Sequence, residues 1–188
     1  MSDFDQIVAD IESCKAALAA KQAWNPAREG EIDIRIAADG CWYHEGRPFQ
    51  RDALVKLFAS VLRRENDAYF LVTPTEKLRI EVDDAPFVAT LVEAMGNDGT
   101  KAVVFTTNLG ERILLDRDHA LRIETDPQTG EPRPYVQMEA GLEALINRSA
   151  FYDLINLAEP QERDGKIYLT VRSLDQAFEL GSIDEQAE

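Results

Sequence analysis

Cysteine and histidine are scarce in this sequence, and their spacing excludes several classes of site. The only cysteines, Cys14 and Cys41, fit neither a CxxC pair nor the spacing of a zinc site. The two histidines, His44 and His119, lie far apart, and no HExxH motif occurs. We therefore expect no metal site and no cofactor, and we interpret the cysteines as small apolar residues in a reducing compartment.

Positive charge is also in short supply. Lysine and arginine number 20 against 35 aspartate and glutamate residues, which gives a formal net charge of -15. Such a surface repels phosphate backbones and anionic lipids over most of its area. We therefore expect no nucleic-acid polymer and no membrane as a partner, whereas a local cluster of cations would stand out as a site for a small anion.

Long apolar runs and catalytic motifs are absent. No run approaches the roughly 20 residues that span a bilayer. The start, Met1–Asp5, has neither a basic n-region nor an apolar h-region, so we expect no signal peptide and a cytoplasmic protein. No GxxxxGK[ST], GxGxxG or GxSxG motif occurs. We therefore do not expect an enzyme; a carboxylate hydrolase is the weakest alternative, because no paired acid stands in a recognisable context.

Apolar spacing in the first 22 residues predicts a helix that ends near Trp24–Pro26. One stripe of this helix contains Phe4, Ile7, Ile11, Cys14 and Leu18. The stripe packs either on the body of the protein or on a second copy. A homodimer through the N-terminal helix is therefore one expectation.

Alternating residues predict a hairpin next. Residues 32–36 alternate apolar and polar, Asp39-Gly40 is a favoured two-residue turn, and residues 41–44 return. A two-residue loop pairs Ile36 with Tyr43.

A helix over residues 51–64 follows, with Arg63 and Arg64 in its last turn, where cations suit the negative end of the dipole. Period-two segments then predict an antiparallel meander, because the loops are too short for helical crossovers. Its strands cover residues 68–72, 78–82, 87–94, 102–107, 112–116 and 120–124. Three prolines exclude Asp126–Pro134 from a central strand. A hairpin over residues 135–146, a helix over 149–158 and a late strand over 167–171 complete the prediction.

Two segments resemble one another. Arg51–Leu57 and Arg148–Leu154 match at arginine, alanine and the last leucine, and each opens a predicted helix after an apolar hairpin. We interpret them as a duplicated hairpin-helix unit, although two ordinary amphipathic helices would also give the match. The predicted fold is α+β, with two small domains built from this unit and antiparallel sheets. Residues 1–22 form the N-terminal helix, 23–84 the first domain, and 85–188 a second, mainly antiparallel β domain with one helix.

The candidate ligand-binding residues are basic. If the strand that starts near Lys77 packs beside the end of the preceding helix, Arg63, Arg64, Lys77 and Arg79 converge in an otherwise acidic protein, and guanidinium groups bind phosphate bidentately. The alternative is salt bridging of these cations to Glu65, Glu76 and Glu81. Arg148 and Tyr152 join the candidate site from the second half, because Arg148 starts a predicted helix where backbone amides also favour an anion.

Several stretches resemble the bacterial domain-of-unknown-function family 1285. They are Ile34–His44, Pro48 with Leu54–Phe58, Leu62–Glu65, Tyr69–Lys77, Arg79–Phe87, and Gly141–Leu145 with Arg148, Phe151 and Tyr152. The resemblance implies a duplicated two-domain core, a C-terminal half loosely similar to pleckstrin-homology-like folds, and a nucleotide-like ligand bound between the domains in a signalling role. It implies no catalytic residue.

The leading hypothesis is thus a non-catalytic regulatory protein that binds a nucleotide-like anion in a cleft between its halves. The alternative is a protein-interaction module, without a small-molecule ligand, that works through a strand edge or the N-terminal helix.

Overall fold

The computed structural model describes residues 24–96 and 101–183, so the predicted N-terminal helix lies outside the described residues. Within these ranges the chain forms fifteen strands, two α-helices and one short 3-10 helix at Glu139–Gly141. The strands are β1 (Arg28–Ile36), β2 (Trp42–His44), β3 (Arg47–Pro48), β4 (Leu62–Glu65), β5 (Ala68–Val72), β6 (Glu76–Val82), β7 (Phe87–Met95), β8 (Ala102–Thr107), β9 (Arg112–Leu114), β10 (Leu121–Thr125), β11 (Pro132–Gln137), β12 (Glu143–Ile146), β13 (Glu159–Arg163), β14 (Lys166–Ser173) and β15 (Gln176–Ile183). The helices are α1 (Asp52–Ala59) and α2 (Arg148–Asn156). The predicted α+β class is therefore wrong, because the described chain is mostly β.

The chain divides into two compact units. The first comprises Met1–Pro86 with Ala140–Leu142, and the second comprises Phe87–Glu139 and Glu143–Glu188. One six-stranded sheet, ordered β3-β2-β1-β6-β5-β4, forms the first unit. A second six-stranded sheet, ordered β10-β11-β12-β7-β8-β9, and a three-stranded sheet, ordered β13-β14-β15, form the second unit.

The two six-stranded sheets have the same strand order. Each contains two three-stranded antiparallel meanders, and the first strand of one meander pairs in parallel with the last strand of the other. These parallel pairs are β1 with β6 and β7 with β12. The prediction of purely antiparallel sheets is wrong, because local alternation does not reveal a parallel pair between distant strands.

The helices do not share this duplication. In the first unit α1 lies between the two meanders, whereas in the second unit α2 follows the last strand of the sheet. The predicted duplicated hairpin-helix unit is therefore wrong: the strand order repeats, and the two helices occupy different positions in it. The similarity between Arg51–Leu57 and Arg148–Leu154 is that of two amphipathic helices.

The first helix is shorter than predicted. It ends at Ala59, and Ser60 forms its C-cap. Val61 and Leu62 continue the apolar spacing of the helix, but Val61 precedes β4 and Leu62 is the first residue of β4, where buried Leu62 alternates with Arg63. The buried residues Val61 and Leu62 fall by coincidence at the helical spacing. The apolar pattern therefore continues from α1 into β4 without a break. Arg63 and Arg64 consequently lie on a strand and not in a last helical turn.

The first hairpin has a longer loop than predicted. Ile36 pairs with Trp42, so the prediction that it pairs with Tyr43 is wrong by one residue. The amide of Gly40 donates to the carbonyl of Ala37 at 2.8 Å, and Gly40 then has a φ of +82°. A turn followed by a left-handed glycine makes a loop of more than two residues. Asp-Gly occurs in such loops as well as in two-residue loops, so it does not fix the loop length.

Each unit has a core of its own. In the first, the Phe58 ring is fully buried, stacks on Trp42 at 6.5 Å and meets Phe49 edge-on at 5.7 Å. In the second, Phe105 and Leu154 have no exposed surface, and α2 packs on β7. No helix within the described ranges is both long enough and apolar enough to cross a membrane.

Candidate functional site

The predicted cations of the first half lie on both faces of the first sheet. In the register of β4, β5 and β6, Arg63 stands opposite Phe70, and Phe70 stands opposite Arg79. Lys77 shares this face, because alternate residues of a strand point to the same side. Arg64 points to the other side, in the row that contains buried Ile80. The structure therefore places three of the four cations on one face and separates Arg64 from them.

Carboxylates bind two of the three cations on that face. Lys77 Nζ lies 2.6 Å from a Glu29 oxygen and 3.1 Å from a Glu65 oxygen. The Arg63 guanidinium donates to the carbonyl oxygen of Trp24 at 2.9 Å and lies 3.4 Å from Glu65. The hydrogen bond from Lys77 lowers the pKa of Glu65, and the hydrogen bond to Glu29 raises the pKa of Lys77. Glu65 was anticipated as a partner. Glu29 was not, because it lies on β1, whose parallel pairing with β6 was not predicted.

Arg64 makes local contacts on the opposite face. Its guanidinium carbon lies 5.7 Å from the centre of the Tyr69 ring, and its Nε donates to the carbonyl oxygen of Asn66 at 3.1 Å. Asp67 lies 3.7 Å away. Arg64 is thus held at the β4–β5 turn.

Arg79 is exposed and lines a groove of about 690 Å³ in the first unit. The groove opens where the pairing of β1 with β6 is interrupted between Glu31 and Arg35. Five carboxylate residues share its walls with Arg79: Glu31, Asp33, Asp67, Glu81 and Asp83. Although Arg79 makes no ion pair with any described residue, this excess of negative charge disfavours an anion here.

In the second unit, Arg148 and Tyr152 are brought together at the start of α2. The Asn147 carboxamide oxygen accepts a hydrogen bond from the amide of Ala150 at 2.8 Å and caps the helix. Arg148 is the first helical residue, and its Nη2 donates to the Tyr152 hydroxyl at 3.3 Å. Its guanidinium carbon also lies 5.7 Å from the centre of the Tyr152 ring. A cation and an exposed aromatic ring thus stand together at the positive end of a helix.

Both residues line a second groove, which we name the Arg148 groove. It has a volume of about 460 Å³, within the range of small-molecule sites. Its residues are Glu131, Pro132, Arg133, Pro134, Leu145, Ile146, Asn147, Arg148, Phe151, Tyr152 and Ile155. Arg133 and Arg148 are the two cationic residues among them, and most of the others are apolar.

Proline explains why the sheet leaves space for this groove. Strand β12 pairs with β11 from Tyr135 onward, and at Asn147 the chain has already left the sheet to start α2. Pro132 and Pro134 offer no amide hydrogen, so that end of β11 cannot donate to a further strand at these positions. Arg133, between them, points in the alternate direction and pairs with Asp126 at 3.8 Å.

The sequence reading missed Arg133, Phe151 and the prolines of the groove. The signal in the sequence is Pro132-Arg-Pro134, and its prolines favour the exclusion of this segment from a central strand. The exclusion of Asp126–Pro134 from a central strand is wrong for its last three residues, since β11 starts at Pro132, lies between β10 and β12, and has Pro134 opposite Ile123 of β10. Within residues 24–96 and 101–183, no group of three or more histidine, cysteine, aspartate or glutamate side chains could hold a metal ion.

Comparisons with known proteins cover nearly the whole chain. Residues 20–85 match the family model described as domain of unknown function (DUF1285), N-terminal domain. Residues 86–180 match the model described as protein of unknown function (DUF1285), C-terminal domain. A comparison with curated proteins finds no match.

Two crystal structures are similar. A DUF1285 family protein from Silicibacter pomeroyi DSS-3 shares 46% sequence identity with a TM-score of 0.79, and the match covers 87% of each chain. A DUF1285 family protein from Shewanella baltica OS155 shares 28% identity with a TM-score of 0.52, over 65% of this chain and 90% of that one. The chain therefore belongs to the DUF1285 family, in agreement with the resemblance seen in its sequence.

Proposed function

We propose that this protein is a non-catalytic regulatory protein that binds a small anion, and that the Arg148 groove is part of the binding site. One observation carries the proposal: Arg148, Tyr152 and Arg133 line a single groove in a chain whose formal net charge is -15. In such a field an anion has few other places where a guanidinium group stands beside an exposed aromatic ring.

The chemistry of the groove fits recognition better than turnover. Guanidinium groups bind carboxylates and phosphates in a fixed geometry, and an exposed tyrosine ring can stack on a flat ligand. Arg148 is charged at every physiological pH, as arginine is in proteins, and the hydrogen bond to Tyr152 raises its pKa further. The regulatory role rests on the missing catalytic motifs and on the resemblance noted in the sequence. A nucleotide-like ligand, and its position between the two halves, stay predictions.

Thermal denaturation tests the proposal directly. The probes are inorganic phosphate, AMP, ADP, a cyclic dinucleotide and short carboxylic acids. A ligand at a hundred times its dissociation constant stabilises the folded state by about 2.7 kcal/mol, which gives a measurable rise in Tm. We expect at least one probe to raise the Tm of the natural protein.

Arg148→Gln should abolish most of that rise, because a charged hydrogen bond is worth roughly 1.5–3 kcal/mol, or about ten- to a hundredfold in affinity. Arg117→Gln is the matched control, since Arg117 is an exposed arginine of the same unit and does not line the groove. Arg79→Gln tests the predicted contribution of the first half. Equal shifts in the natural protein and Arg148→Gln, or no shift with any probe, would contradict the proposal.

A protein-interaction module is the second candidate, favoured by one observation. Leu91 and Met95 are 44% and 46% exposed and lie on the same face of β7. Affinity purification tests this role. A partner that is retained by the natural protein but not by a Leu91→Ser/Met95→Ser variant would support it. Loss of the partner in Arg148→Gln instead would show that binding depends on the groove.

A further inference from the structure

The Arg148 groove differs from a polyphosphate site because its walls contain more apolar than cationic residues. Six of its eleven residues are apolar: Pro132, Pro134, Leu145, Ile146, Phe151 and Ile155. Only two residues are cationic, and one of these, Arg133, is already paired with Asp126. Glu131 at the same groove adds a negative charge and acts on Arg148. Arg148 is therefore the one guanidinium group of the groove that no carboxylate of the described residues pairs with directly, and Glu131 offsets part of its charge.

The polar side chains of the groove are largely committed to the protein. The carboxamide oxygen of Asn147 caps α2, and the hydroxyl of Tyr152 accepts a hydrogen bond from Arg148. The Asn147 carboxamide nitrogen and the Tyr152 hydroxyl can still donate, but apolar residues make up most of the walls, and sugar hydroxyls buried against them without partners oppose binding. In contrast, a hydrocarbon group that covers the apolar side chains buries apolar surface, and this burial favours binding.

We infer that the ligand of the Arg148 groove is an amphipathic anion: a small apolar ring or chain that carries a single carboxylate or phosphate group. The inference rests on the proposed function and narrows its ligand class. The anionic group binds Arg148 at the start of α2, and the apolar part lies along Phe151, Ile155 and Pro134.

A homologous series of straight-chain carboxylates from four to eight carbons tests this assignment by calorimetry, with the matching alkyl phosphates as a second arm that identifies the preferred head group. Burial of each added methylene should raise affinity about fourfold until the groove is filled. A neutral alcohol of equal length should bind about ten- to a hundredfold more weakly than the acid, because it lacks the charged hydrogen bond.

Two variants separate the ends of the ligand. Arg148→Gln should weaken every acid about ten- to a hundredfold and leave the gain per methylene unchanged. Ile155→Ala should leave the shortest acid unaffected and reduce the gain for longer ones. Leu157→Ala is the control, since Leu157 is 37% exposed and does not line the groove. The chain-length series on the natural protein decides the matter even if a variant folds poorly.

The outcomes distinguish the ligand class from the proposed function. Affinity that rises with chain length and depends on Arg148 supports both. Nucleotides that bind through Arg148, while acids of every length fail, overturn the amphipathic ligand and leave the anion-binding function standing. No anion that binds through Arg148 overturns both.

Discussion

Replacing Arg122 by methionine should destabilise the second unit. Arg122 on β10 donates from Nε and Nη2 to the two carboxylate oxygens of Glu143 on β12, at 2.7 and 2.9 Å. Its guanidinium carbon lies 4.2 Å from the centre of the Tyr135 ring on the strand between them. The pair thus ties together three neighbouring strands, including the one that carries Arg133.

The expected loss follows from the burial of the pair. The Glu143 side chain is 11% exposed and that of Arg122 is 35% exposed. Removing one partner of a fully buried pair costs about 3–5 kcal/mol, whereas exposed pairs contribute about 0–1 kcal/mol. Because Arg122 reaches solvent and Glu143 hardly does, we expect a loss of about 2 kcal/mol. Methionine keeps a flexible chain over Tyr135, so the loss reports the charged hydrogen bonds.

A matched control exists in the same unit. Arg163 lies 2.8 Å from Glu179 and 4.3 Å from the centre of the Tyr168 ring, but the two charged side chains are 62% and 46% exposed. Arg163→Met should therefore cost well under about 1 kcal/mol. Urea denaturation followed by far-ultraviolet circular dichroism measures both variants. Equal losses for Arg122→Met and Arg163→Met would refute the argument that burial sets the strength of the pair.

Three further predictions concern local structure. Gly40→Val should cost at least about 1–2 kcal/mol, since Gly40 has a φ of +82°; Ala38→Val in the same turn is the control, and equal denaturation midpoints would contradict the strain. Asn147→Ala should cost about 1 kcal/mol because it removes a helix cap, whereas Arg51→Ala should cost little because Arg51 makes no side-chain cap bond; a comparison of the two by urea denaturation tests the capping role. Glu65 has its pKa held below the usual 4.5 by the hydrogen bond from Lys77, so it stabilises the folded state above that pH, and this contribution is lost as the pH falls through the folded pKa. Glu65→Gln should therefore flatten the acid side of the stability curve recorded by fluorescence of Trp24 and Trp42, which both lie in the first unit, and an unchanged curve would exclude Glu65 as its cause.

Local patterns predicted most strands but not the sheets that they form. The segment Ala102–Thr107, for example, is rich in β-branched and aromatic residues, and the structure gives β8 the predicted bounds. The parallel pairs β1–β6 and β7–β12 escaped prediction, because they join residues that are far apart in the sequence and leave no local period. The α+β prediction failed because it counted the start of β4 as helix, where the apolar spacing of α1 continues, and because it missed strands β3, β13 and β15.

The candidate site was predictable in part. Arg148 and Tyr152 are one helical turn apart, so a sequence pattern is enough to bring them together. The position of Arg133 could not be predicted from the local pattern. Its strand, β11, contains two prolines, and they lie where β11 pairs with β10 but not with β12. The partners of Lys77 depended on which strand lies beside β6, and that is a property of the sheet rather than of the segment.

The parallel pairs at the centre of both six-stranded sheets also affect the order in which the chain can fold during synthesis. Strand β1 can pair with β6 only after Leu78, the partner of Gly30, has been synthesised. Strand β7 can likewise pair with β12 only after Leu145, the partner of Val88, has been synthesised. Pairing between such distant strands slows folding, since the intervening loop must first be ordered. During synthesis on the ribosome, the first meander of each sheet emerges first. One edge of β1 or β7 then stays unpaired until β6 or β12 has been made. Fragments that end between the meanders should therefore be the species that aggregate or recruit chaperones.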